Sequence, residues 1–153
     1  MSDPSAMTLG HLQALSDQSL LSKKRVFERA AEAMGGSLNL SSETIYRALL
    51  EREKLGSTAI GEGIAIPHCR INDCAVPAGC LVTLREPIDF GSADGQDVDI
   101  IFVLLVPEEA TEVHLKLLAA VARSFSHAEV RDRVRQTQDP EALKQLLLRG
   151  DAA

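Results

Sequence analysis

No apolar run in the chain approaches the about 18 residues that mark a membrane-spanning helix, so no direct membrane span is expected. There is no dense Lys/Arg cluster either. With a net charge of −6, the chain is not expected to bind nucleic acid. The short basic run Lys23-Lys24-Arg25 reads as the solvated first turn of a helix. Cys69, Cys74 and Cys80 are odd in number and lack the C-x-x-C spacing of zinc sites. They read as reduced thiols of a cytosolic protein. Residues 1–10 lack the charged-then-apolar layout of a signal peptide, and the expected location is the cytoplasm. Internal repeats, low-complexity tracts and linkers are also missing.

What is present is ordinary in bulk. The 153 residues suit one domain, and 45% hydrophobic and 25% charged residues suit a globular core. Residues 1–10 are expected to be a disordered N-terminus and 11–150 one domain.

Periodicity organises the chain. Ser22 precedes a helical pattern with Val26, Ala30, Ala33 and Met34 on one face, and Gly35-Gly36 is expected to end it. Ser41 or Ser42 caps a second helix. In it Ile45, Ala48, Leu49, Arg52 and Leu55 follow i, i+3, i+4, i+7 spacing up to Gly56. That register turns Arg52 inward, either with its stem packed and its head in solvent or with its guanidinium aimed at an anion. Residues 60–66 and 79–84 read as strands, the second followed by Pro87. The apolar run Ile100–Val106 reads as a strand covered on both faces and ended by Pro107. Thr111 reads as the cap of a long helix burying Leu115, Leu118, Ala122 and Phe125. Residues 129–134 and 141–148 are further helical stretches. Helices before, among and after strands predict an α/β chain folded as a three-layer α/β/α sandwich around a central sheet.

One stretch carries the chemistry. Arg52-Glu53-Lys54-Leu55-Gly56-Ser57-Thr58 is followed by Gly61-x-Gly63-Ile64-Ala65-Ile66-Pro67-His68. Small residues let backbone approach a ligand, and His68 can accept a group near neutral pH. His114, three residues past Thr111, falls in a helix first turn, where free N–H groups and the helix dipole favour an anion. The stretch is not a P-loop, since the Lys-Ser/Thr ending is missing, so no nucleotide cofactor is expected. A metal site built from His68, Cys69 and His114 has an incomplete ligand set, with adjacent ligands awkward to use together, and none is expected.

These residues resemble the active-site signature of enzyme IIA proteins of the fructose/mannitol type, from the bacterial phosphoenolpyruvate-dependent phosphotransferase system. Residues 98–107 and His114-Leu115-x-x-Leu118-x-x-Val121-Ala122 extend the resemblance over about residues 20–148. It implies a mixed central sheet, a phosphohistidine at His68 formed on Nε2, and a second histidine, His114, beside it. It also implies Arg52 as a phosphate-binding guanidinium. Gly56, Ser57, Thr58, Gly61 and Gly63 would form the wall of the site, with the two hydroxyls reaching the ring or the phosphate. Ala59 and Cys69 depart from a pattern in which glycine is common at both places. HPr, or a nitrogen-branch version of it, would be the donor, with an enzyme IIB cysteine or regulatory target proteins as partners. A chain of 153 residues has no room for attached IIB or IIC regions, so the expectation is the stand-alone, nitrogen-regulatory type. The alternatives are a sugar-specific enzyme IIA serving a separate enzyme IIB and a non-catalytic binding module.

Overall fold

The computed structural model describes residues 11–72, 74, 76–109 and 112–148. In chain order these form β1 (His11–Gln18), α1 (Lys23–Leu38), α2 (Ser42–Lys54), β2 (Ala59–Gly61), β3 (Ile64–Ala65) and β4 (His68–Ile71). Then come β5 (Ala78–Ile88), β6 (Val98–Pro107), α3 (Glu112–Phe125), α4 (Ala128–Gln136) and α5 (Pro140–Leu148). The strands make one mixed sheet in the order β1-β5-β6-β3-β2, with β4 also paired to β6. β1 runs parallel to β5, β5 antiparallel to β6, and β3 and β4 parallel to β6.

β6 shows why the sheet needs two coats. Ile101, Val103 and Leu105 face a core shared with Val26, Phe27 and Met34 of α1 and with Ile45 and Leu49 of α2. Ile100, Phe102 and Leu104 alternate to the other face, against Leu117, Val121 and Phe125 of α3, Val130 and Val134 of α4, and Leu143 and Leu147 of α5. Side chains of a strand alternate between faces, so an unbroken apolar run demands cover on both. The three-layer expectation holds, around a sheet that is mixed.

Several details differ from the sequence reading. α1 does not stop at Gly35-Gly36. It runs on to Leu38, and Asn39 ends it in the left-handed region, with φ of 59°. Gly35 is small because a Cβ there would lie 2.8 Å from the Leu40 carbonyl oxygen, where the chain turns back. The segment 60–66 is not one strand. β2 and β3 form a hairpin whose turn, Glu62-Gly63, has φ of 60° and 80°, the paired positive angles of a type I′ turn. β5 continues through Pro87 to Ile88, because the register shifts between Thr83 and Ile88 and a bulge tolerates a residue without an N–H. The buried face of α3 is Leu117, Ala120, Val121 and Phe125, whereas Leu115 is 60% exposed. β1 and β4 are strands the periodicity did not predict. Thr111 and residues 1–10 lie outside the described residues.

Candidate functional site

His68 opens β4, opposite Leu104 on β6. Pro67 before it accepts the Leu104 N–H through its carbonyl at 2.8 Å, so the chain is pinned to the sheet one residue ahead of the ring. The half-buried His68 ring has its Nδ1 2.8 Å from the Ile66 carbonyl oxygen. A carbonyl only accepts, so Nδ1 carries the proton. In the neutral ring the lone pair is therefore left on Nε2. Ile66 is held in turn: its N–H donates to the Thr58 carbonyl at 3.0 Å. That bond lays residues 56–58 alongside residues 66–68.

Arg52 lies in the last turn of α2, which packs on β4. Its Nη1 donates to the Gly56 carbonyl at 3.0 Å, which anchors the guanidinium at the loop leading back to the His68 segment. Arg52 is not on the buried face. That face is Ile45, Leu49 and Glu53, each four residues on from the last, and Leu55 is 84% exposed. Glu53 is thus the buried charge of this helix and the residue the sequence reading missed. The i, i+4 step from Ile45 and Leu49 was the signal available.

The two hydroxyls of the loop are engaged within the fold. Ser57 Oγ donates to the Phe90 carbonyl at 2.7 Å, and Thr58 Oγ1 donates to Glu53 Oε1 at 2.8 Å. Gly56, with φ of 151°, makes the bend between α2 and this loop. Gly61 and Gly63 sit elsewhere. The hairpin pairs Ile64 with Ile100, whereas His68 pairs with Leu104, four residues further along β6 and about 13 Å away at about 3.3 Å per residue. There the Gly63 carbonyl accepts the N–H groups of Asp99 and Ile100, and Arg135 clamps both the Asp99 carboxylate and the Glu62 carbonyl. A Cβ on Gly63 would come within 2.5 Å of Arg135 Nη2. His114 occupies the first turn of α3 and is half-buried. This helix follows the end of β6 against which β4 lies.

The thiols beside the site are muted. Burial, and after it the neighbouring Cys74, pushes the Cys69 thiol up to about 12. A thiol held in that form is a poor nucleophile. Among the described residues no three His, Cys, Asp or Glu side chains gather where they could hold a metal ion.

The neutral His68 ring thus presents an unprotonated Nε2, and α2, which carries the anchored Arg52, packs on the strand that His68 opens. The family described as "Phosphoenolpyruvate-dependent sugar phosphotransferase system, EIIA 2" matches residues 10–150. The chain belongs to this family. Enzyme IIA relatives cover most of its length. A nitrogen regulatory protein of Pseudomonas aeruginosa is 48% identical over 83% of this chain and 83% of its own. One from Escherichia coli K12 is 41% identical over 82% of this chain and 78% of its own. The crystal structure of nitrogen regulatory protein IIA-Ntr from Neisseria meningitidis superposes with a TM-score of 0.82 at 38% identity, covering 90% of this chain and 92% of that one. The enzyme IIA for mannitol of E. coli shares the fold, with a TM-score of 0.73 at 20% identity. Among the described residues, no helix of this chain is long and apolar enough to cross a membrane.

Proposed function

We propose that the chain carries a phosphoryl group on Nε2 of His68, taken from a phosphohistidine of HPr or its nitrogen-branch counterpart. It then acts in the cytoplasm as a regulator whose contacts depend on that phosphorylation. The observation that supports this most is the Nδ1–H bond to the Ile66 carbonyl, which leaves Nε2 as the nucleophilic nitrogen of the neutral ring. In the transfer, the Nε2 lone pair forms the new N–P bond while the donor's N–P bond breaks and its electron pair returns to the donor imidazole. The transition state is loose, with charge on the equatorial oxygens, so positioning and electrostatics carry the catalysis. Arg52 supplies planar paired donors that match those oxygens. His114 and the N–H groups of the α3 first turn supply further donors without a metal.

Leu55 and Leu115, next to Gly56 and His114 in sequence, are large apolar residues exposed to solvent, of the kind that protein partners cover. A phosphate on His68 adds charge and acceptor oxygens, which changes what can dock there. The similarity to nitrogen regulatory proteins over most of both chains supports the regulatory branch over a sugar-specific role. The test is intact mass spectrometry at mildly alkaline pH after incubation with phosphoenolpyruvate, enzyme I and HPr of either branch. Wild type is expected to gain one phosphoryl group and His68→Ala none. No gain with either donor would leave a non-catalytic binding module. Transfer onward to an enzyme IIB cysteine would move the assignment to the sugar branch.

A further inference from the structure

Glu53 is a carboxylate in the wrong place by ordinary rules. It is 8% exposed, and it lies in the last turn of α2, at the negative end of the helix dipole. A charge kept where both burial and the dipole oppose it points to a role beyond stability. Its partners show what it does. Oε2 accepts from Lys23 Nζ at 2.9 Å and from the Thr58 N–H at 3.1 Å, and Oε1 accepts from Thr58 Oγ1 at 2.8 Å. Both donors of Thr58 are thereby fixed on one side chain. The Thr58 carbonyl then receives the Ile66 N–H, and the Ile66 carbonyl receives Nδ1–H of His68. Lys23 is itself seated, with its ammonium 4.7 Å from the centroid of the Phe90 ring, and the Phe90 carbonyl holds Ser57.

We propose that Glu53 is a positioning residue for His68. With Lys23 it sets the Thr58 segment, and through Thr58 and Ile66 it holds the imidazole in the tautomer that leaves Nε2 unprotonated. This rests on His68 being the phosphoryl acceptor. A histidine free in solution favours the opposite tautomer, with the proton on Nε2, so the hold has work to do against an intrinsic preference. Glu53 touches neither the ring nor the phosphate. Its effect passes through two backbone residues, which is why a network rather than a single contact is needed to make it rigid.

The tautomer can be read directly by nitrogen-15 NMR of the His68 ring at pH about 8, in wild type, Glu53→Gln and Glu53→Ala, with amide spectra to establish folding. Wild type is expected to hold the proton on Nδ1. Both variants are expected to populate the Nε2–H form, Ala more than Gln. Phosphoryl acceptance is expected to fall on the order of 10- to 100-fold, the usual scale for lost support of a reacting group. If Glu53→Ala does not fold, Glu53→Gln, which keeps the side-chain volume, decides alone. Folded variants with wild-type His68 ring shifts would overturn the proposal, whatever their transfer rates. The NMR comparison needs no phosphoryl donor. Failure of wild type to be phosphorylated would thus sink the functional reading and leave the positioning result standing.

Discussion

The joined ends of the stretch from Arg52 to His68 and the hairpin turn at its middle do different work. At the His68 end, an exposed helix terminus, a glycine bend and a half-buried imidazole meet beside Leu104. At the hairpin end, about four residues along β6, Gly61 and Gly63 allow a tight turn, and Arg135 ties Asp99 to the Glu62 carbonyl. One run of small residues therefore serves two purposes. Gly56 shapes the neighbourhood of the chemistry, whereas Gly63 lets β2 and β3 turn over the sheet edge. Continuity in sequence does not make one site, because a hairpin places its turn a strand-length away from its ends.

Substitutions at the two places should separate function from stability. His68→Ala is expected to abolish phosphoryl acceptance in the mass assay while lowering unfolding free energy by only about 1 kcal/mol, the scale of one lost hydrogen bond. Arg52→Ala should follow, with transfer slowed about 10²–10³-fold, the scale for loss of one transition-state donor, in single-turnover kinetics. His114→Ala is expected to slow the same step on the order of 10-fold, the scale of one hydrogen bond to a charged group. Wild-type kinetics would remove His114 from the site. Gly63→Ala reverses the pattern. Its φ of 80° costs about 1–2 kcal/mol for a residue with a Cβ, and that Cβ also displaces Arg135, so chemical denaturation should show at least that loss while the folded fraction transfers at the wild-type rate. A slowed folded fraction would mean that the hairpin end takes part in the chemistry.

The smallest effect concerns the thiols. Burial pushes Cys80 and Cys69 up to about 12, from an ordinary value of 9.0. Between pH 9 and 12 the unfolded chain releases thiol protons that the folded chain keeps. Stability from this source is therefore complete below about pH 9 and declines as pH climbs towards 12. At pH 8, alkylation of Cys69 by iodoacetamide should be much slower in the folded protein than in urea. Equal rates would show an open thiol beside His68.

The sequence made some parts legible and others not, for physical reasons. The apolar run of β6 announced a strand with two coats. Ser22 announced one helix start and the pair Ser41-Ser42 another, where the structure selects Ser41; Ser22 and Ser41 each accept the N–H three residues on. Helix faces were misread where apolar residues are dense: in α3, Leu115, Leu118 and Ala122 fit i, i+3, i+7 spacing as well as Leu117, Ala120 and Val121 fit i, i+3, i+4, and only packing decides between them. Glu53 escaped because the inward register was drawn through Arg52, one residue earlier, although the i, i+4 step from Ile45 and Leu49 reaches Glu53. β4 escaped because four residues, half of them partly exposed, carry no period. Tautomer, hairpin register and the Glu53 network are tertiary facts that no local pattern encodes.

The central claim is that the phosphoryl group sits on one nitrogen of one ring. Phosphorus-coupled nitrogen-15 NMR of the enzymatically phosphorylated protein tests it most directly. The account predicts a single phosphohistidine at His68 with phosphorus bonded to Nε2. A signal from Nδ1 of His68, or a phosphoryl group on another residue, would contradict it.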